Sequence, residues 1–280
     1  MLIDSVIIVL REIIEAAFLV SVLLAVTNVL RLTATGFRSA ALLGLGSAVL
    51  FSLLLPRVFD WFGGVGYELA NVGVQLLTYL AILAILATLG LLRFGPPSAP
   101  RTRAALRWFM AAAVILAMTR EGAEILLYFG SLSAQEGATS DAVTGAVIGI
   151  GVGFSAGTLF YYLQLSQRPS TALATGAVLL ALIGSGMCAQ ATQLLIQADW
   201  LPAQAPLWNS SRWLPESSPL GQLLYALIGY EATPSPLVVG IYLASMAIAL
   251  TVALGARCQG AKALARRPLS ASAPNTLPQP

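Results

Sequence analysis

The sequence predicts an all-α integral membrane protein with seven transmembrane helices. Composition, the length of its apolar runs and the placement of its few charges carry that expectation. Of the 280 residues, 58% are hydrophobic and only 10% are charged, and mean hydropathy is +0.82. A soluble domain carries about 25% charged residues, so this chain cannot cover a surface of its own with charge and must meet lipid. A spanning helix needs about 20 mostly apolar residues. Seven segments qualify, at roughly 5–30, 39–56, 70–92, 105–132, 142–163, 173–197 and 236–256.

Span 1 follows Met1 with no basic leader and no small-residue cleavage site, and it exceeds a signal h-region in length. It therefore reads as a retained helix. Spans 2 and 5 each carry a glycine pair before a phenylalanine, Gly44-Leu-Gly46 before Phe51 and Gly149-Ile-Gly151 before Phe154. Such pairs permit close helix packing. The Pro-rich stretch Arg93–Arg101 separates spans 3 and 4 and divides two halves, 1–92 and 105–197. Residues 198–235 form the longest connection, with Trp200, Trp208 and Trp213 suited to a membrane interface. Within it, Leu220–Tyr230 reads as a short interfacial or re-entrant helix. Span 7 closes a single seven-span transmembrane domain over 1–256, and the Pro-, Ala- and Ser-rich tail 257–280 reads as disordered.

Loop charges set the orientation. With the N-terminus outside, the inner loops and tail hold eleven basic residues and no acidic one, whereas the outer side holds only Arg57 and Arg212 as cations. Inner loops favour Lys and Arg, so the C-terminus is expected in the cytoplasm. The chain has no histidine and only two cysteines, Cys188 and Cys258. Histidine haem ligation, His-containing zinc sites, Ser-His-Asp hydrolysis and Glu-x-x-His di-iron clusters are excluded. No nucleotide motif and no basic block of nucleic-acid type occurs, so neither an enzyme nor a nucleic-acid binder is expected.

Six charges remain inside spans. Arg11, Glu12 and Glu15 lie in span 1, and Arg120, Glu121 and Glu124 in span 4, both spelling Arg-Glu-x-x-Glu. Each costs roughly 2.5–3.5 kcal/mol at mid-membrane on the insertion scale, so the six are expected to face the protein interior or a wet cavity. At about 100° per residue the three side chains of each motif share one stripe. The arginine can pair with the second glutamate four residues on. The two motifs leave a surplus of two negative charges, which a cation would balance. Antiparallel spans with the same motif at similar depth suggest an inverted repeat of spans 1–3 and 4–6, with the site between halves. Carboxylate oxygens suit hard cations, whereas Met110, Met118, Met187 and Cys188 read as packing. Glu68 and Asp60, just before span 3, read as solvated loop charges, with attraction of cations at the outer mouth as the alternative. Transport of another divalent metal such as lead or manganese, transport of protons, and a purely structural Arg-Glu clamp remain as alternatives.

With these motifs in place, the chain resembles the oxidase-dependent iron transporters, also called the iron/lead permease family, in its bacterial branch. Arg120-Glu121-Gly122-Ala123-Glu124 matches the family's Arg-Glu-Gly-x-Glu form. Arg11-Glu12-Ile13-Ile14-Glu15 matches apart from Ile13 in place of glycine. Leu207-Trp208-Asn209, Leu214-Pro215, Leu220-Gly221, Ala226–Tyr230 and Pro234-Ser235-Pro236 resemble its outer stretch. The resemblance implies iron uptake across the bacterial inner membrane, with iron as cargo and no permanently bound cofactor. Glu12, Glu15, Glu121 and Glu124 would be iron ligands, and Arg11 and Arg120 their charge partners. An extracytoplasmic oxidase or iron-delivery protein would be the partner. Two departures accompany it. Ile13 adds bulk expected to alter the fit of spans 1 and 4. Gln193, Leu194 and Gln197 stand where relatives can carry His and Glu.

Overall fold

The computed structural model describes residues 2–33, 35–94, 100–133 and 139–265. These form α1 (Leu2–Val29), α2 (Thr35–Phe59), α3 (Gly66–Phe94), α4 (Pro100–Ser133), α5 (Thr139–Leu165), α6 (Pro169–Gln197), the short α7 (Pro219–Ile228) and α8 (Pro236–Ala265). A 3-10 turn, Trp61–Gly63, links α2 to α3, and no strand occurs among the described residues. Each apolar segment expected from the sequence falls on one long helix. Helices α2, α3, α5, α6 and α8 are long and apolar enough to cross a membrane. Helices α1 and α4, at 28 and 34 residues, match them in length and carry the two Arg-Glu-x-x-Glu motifs. The chain is a multi-pass membrane protein.

Two helix pairs organise the bundle. Helix α5 lays Gly145, Gly149, Gly153 and Gly157 along α1, where they meet Leu2–Ser5, Val6–Leu10, Ile13 and Ala17–Ser21 in turn. A glycine every fourth residue makes one flat stripe, so the two backbones run close and parallel. Ser21 seals the far end by donating to the Gly157 carbonyl at 2.7 Å. Helices α2 and α4 do the same on the other side, with Gly44 against Ile115 and Met118, and Ala48 against Gly122. The glycine pairs seen in the sequence split alike. Gly44 and Gly149 pack, whereas Gly46 and Gly151 meet nothing.

Helix α6 is central. Two-thirds of its apolar stretch is buried (67%), against 22% for α2 and 17% for α8. The broad exposed faces of the outlying helices, including Leu42, Leu53, Phe154 and Leu159, suit contact with acyl chains rather than water. Helix α8 caps α3 and α6, and Tyr79 donates its hydroxyl to the Ser245 carbonyl at 2.8 Å. A dry core of Leu19, Leu23, Ile82, Ile85, Leu106, Met110, Met187 and Leu180 fills the half of the bundle away from the 198–235 segment. Two of the methionines are thus packing, and Met118 packs against this core.

The 198–235 segment is folded. Leu207 and Ser210 donate backbone N–H groups to Pro234 and Ala232 at 2.9 Å each. Ser218 caps α7 by accepting from Gly221 N–H at 3.0 Å, with Pro219 in the first turn. Gly229 ends α7 at φ 64° and lies directly against Gly186 of α6. That place needs both a left-handed backbone and the absence of a side chain. The expected helix over Leu220–Tyr230 is therefore present. Trp200, Trp208 and Trp213 are exposed around it.

One boundary differs. The chain stays helical past 256 to Ala265, because Gly90 of α3 packs tightly against Ala256 and Arg257 and holds that turn. The rest of the predicted tail, Glu136 and loop residues 95–99 lie outside the described residues.

Candidate metal centre

Helices α1 and α4 run antiparallel: Ser5 near the start of α1 bonds Tyr128 late in α4, and Thr27 late in α1 contacts Met110 early in α4. This brings the two motifs to one level. Glu12, Glu15, Arg120 and Glu121 are 5%, 7%, 6% and 2% exposed, a burial that ionisable side chains reach only with partners.

Arg120 is the hub. Its Nη1 lies 2.8 Å from Glu121 Oε1 and 3.2 Å from Glu15 Oε2, and its Nε lies 3.3 Å from Glu124 Oε1. The guanidinium fork thus ties three carboxylates from two helices, a role lysine could not copy. Arg11 pairs more loosely, with Nε 3.6 Å from Glu15 Oε1 and 4.0 Å from Glu12 Oε1. Both pairings at a spacing of four, Arg11–Glu15 and Arg120–Glu124, are present.

Glu12, Glu121 and Glu124 converge, each offering a carboxylate oxygen within 4.8 Å of the others. Oxygen-bound cations sit at about 2.0–2.6 Å from each ligand, so this spread fits one ion between them. Glu12 Oε2 and Glu121 Oε2 are buried without a hydrogen-bond partner. Such orphaned oxygens are costly in a dry interior, and a hard cation would satisfy both.

Glu15 stands apart from the other three glutamates. Its Oε2 takes Arg120 and also accepts from Gln190 Nε2 at 3.4 Å, while its Oε1 faces Arg11. The sequence spacing treats the four glutamates alike, and the structure separates one from three.

Ile13 faces α5. It packs onto Gly153 of α5, as Gly122, its counterpart, packs onto Ala48 of α2. The large and small residues have exchanged helices, so the bulk of Ile13 is met by a glycine on α5.

A cavity of about 670 Å³ opens beside the centre, lined by Gln193, Gln197, Glu216, Gln222, Glu231, Arg11 and Tyr225 among others. The Arg11 guanidinium lies 4.1 Å over the Tyr225 ring, where the cavity meets the carboxylates. Glu216 is fixed by accepting the Ala232 N–H at 2.7 Å. Burial pushes the Glu231 carboxyl above the usual carboxylate range, opposed by a hydrogen bond to Gln193. Asp60 and Glu68 do not line this cavity. Gln193 and Gln197, the residues in place of His and Glu, do line it.

The sequence profile of the iron permease FTR1 family matches residues 98–262, more than half of the chain. The chain belongs to this family. The matched stretch of this iron permease family member includes Arg120, Glu121, Glu124 and the 198–235 segment, while α1 lies before it. No curated protein and no solved structure matches the chain. Tyr225, Gln75 and Gln190 of this FTR1 member were not singled out by the search for charges. Their signal was polarity within apolar helices, which a tally of ionised residues passes over.

Proposed function

We propose that the protein imports iron across the bacterial inner membrane, using seven spans, with the N-terminus outside and the C-terminus inside. Membership of the iron permease family supplies the cargo. The observation that carries the mechanism is the convergence of Glu12, Glu121 and Glu124 beneath an open polar cavity. Iron drawn into that cavity loses water, passes Arg11 and Tyr225, and is taken by the three carboxylates. Glu15 then receives it as Arg120 exchanges partners.

The matched parallel pairs, α1 with α5 and α4 with α2, support an inverted repeat of α1–α3 and α4–α6. Rocking of one half against the other would expose the ion to the cytoplasm. The dry core on the far side supports the reading that the cavity end is the outer, open one. The folded 198–235 segment at that mouth is the proposed docking face for an extracytoplasmic oxidase or iron-delivery protein.

Uptake by proteoliposomes tests this, with ferrous iron under reductant and ferric citrate in separate arms. Wild type should accumulate iron, and Glu121→Gln should lose uptake by about a hundredfold or more, as for loss of a charged ligand worth ~3 kcal/mol. A Glu121→Gln protein that transports normally would sink the ligand assignment. Manganese, lead and proton arms decide cargo. The Arg120 network on its own favours a second reading, a helix clamp. That reading predicts that Glu121→Gln fails to fold, and thermal unfolding in detergent separates the two.

A further inference from the structure

Polarity does not stop at Glu15. Gln190 of α6 donates to Glu15 through Nε2, and its Oε1 accepts from Gln75 Nε2 of α3 at 3.2 Å. Asn71 sits one helical turn before Gln75 on the same face of α3. Gln75 and Asn71 are 1% and 2% exposed. Gln75 Oε1 and Asn71 Oδ1 are nevertheless buried without a hydrogen-bond partner.

Two unpaired amide oxygens on adjacent turns are hard to explain as packing. Native interiors pair nearly all such atoms, and an apolar side chain would serve a merely structural wall better. The neighbouring hydroxyls behave as a wall should. Thr78 and Ser185 donate to carbonyls of their own helices at 2.8 and 2.7 Å. Beyond them lies the dry core around Ile82, Ile85 and Leu180. Gln75 is thus level with Glu15 through Gln190, and Asn71 lies one turn nearer the start of α3.

We propose that Asn71 and Gln75 form a second, neutral cation site beside Glu15, which exchanges the ion with it, with Gln190 positioning Gln75 against Glu15. The proposal rests on the permease reading and extends it sideways, from α1 and α4 to α3. Amide oxygens are hard donors like carboxylates but carry no charge. An ion held only by carboxylates is bound too well to leave, and conduction needs a weaker neighbouring stop. The chain Glu15–Gln190–Gln75 places that stop in direct hydrogen-bond continuity with the strong site.

The test uses the full chain and iron alone, with equilibrium binding in detergent measured beside initial uptake in proteoliposomes. Gln75→Met keeps length and removes the amide, Asn71→Leu does so one turn away, and Gln75→Glu adds charge to the oxygen. For Gln75→Met and Asn71→Leu, binding at the carboxylates should stay within about threefold of wild type while uptake falls by roughly tenfold. Gln75→Glu should bind iron more tightly than wild type and hold it through washing, with slow uptake, an outcome that a packing role would not produce. Wild-type uptake by both Gln75→Met and Asn71→Leu overturns the second site. So does parallel loss of binding in all three variants. Should Gln75→Met fail to fold, Asn71→Leu and Gln75→Glu decide by the same criteria. Failure of the underlying reading looks different: Glu121→Gln would then bind and transport iron like wild type.

Discussion

The Arg-Glu-x-x-Glu segment of α1 and that of α4 share their spelling and little of their surroundings. Arg120 is buried and holds three carboxylates, two from its own helix and one from α1. The Arg11 side chain is 41% exposed, pairs loosely with the glutamates of its own helix, and stacks on Tyr225. The cause is the neighbour rather than the motif. Helix α7 lies over α1 and offers an aromatic face beside a wet cavity, whereas the Arg120 end of α4 is enclosed by protein. One arginine thereby ties two helices together, and the other faces the cavity.

The sharpest way to break this contrast is to remove each arginine. Arg120→Ala leaves Glu15 and Glu121 buried without their partner, and breaking a buried pair from one side costs about 3–5 kcal/mol. Arg11→Ala removes a half-exposed group whose pairs are longer, at 3.6 and 4.0 Å, so its loss should cost less. Thermal unfolding in detergent should therefore show a large loss for Arg120→Ala and a smaller one for Arg11→Ala. Equal losses would mean the two motifs are equivalent after all.

The packing behind the motifs gives the next effect. A side chain on Gly153 meets Ile13 at 2.5 Å from its ideal Cβ, whereas one on Gly151 meets nothing. Gly153→Val should destabilise by about 1–3 kcal/mol, the range for overpacking a filled interface. Gly151→Val should be close to silent, and Ile13→Gly should rescue Gly153→Val in the double variant. No rescue would show that α1 and α5 meet differently from this description.

These two contrasts also mark what the sequence made legible. The long apolar segments named every long helix, since length and hydropathy dictate a span directly. The charged stripe named the buried cluster of carboxylates and arginines, because six charges in lipid need a common interior. What stayed hidden were relations between helices. Ile13 looked misplaced until Gly153 was seen opposite it, and nothing in the order of residues says that α5 is the neighbour of α1. Glu15 looked equal to Glu12 until Gln190 and Arg120 were placed around it. Tyr225 lay in an expected helix, but its stacking on Arg11 depends on where α7 folds back.

Tyr225 supplies a smaller effect that sharpens the difference between the arginines. Cation–π contacts contribute about 0.5–2 kcal/mol, so Tyr225→Leu should barely change unfolding while releasing Arg11 toward the cavity. Tyr225→Phe keeps the ring and should behave like wild type. Initial uptake at subsaturating iron should therefore differ between the Leu and Phe variants. Identical uptake by both would remove Arg11 and Tyr225 from the path.

The smallest effect belongs to the cavity rim and concerns pH. Glu231 titrates above the ordinary carboxylate range because it is partly buried, and Glu216 and Arg11 are the charged groups that share the cavity with it. A raised pKa means that Glu231 becomes neutral at a pH where an ordinary glutamate, near 4.3, is still charged. As pH falls from 7, the mouth should lose this negative charge at a higher pH than an ordinary glutamate would. Attraction of a cation to a carboxylate-lined cleft weakens with each charge lost and with added salt. Initial uptake at low ionic strength should decline mildly as pH falls, by about two- to threefold. Glu231→Gln should start lower at pH 7 and decline less, and salt should bring the two proteins together. A slope that survives Glu231→Gln unchanged would place the pH sensitivity elsewhere, at the buried carboxylates themselves.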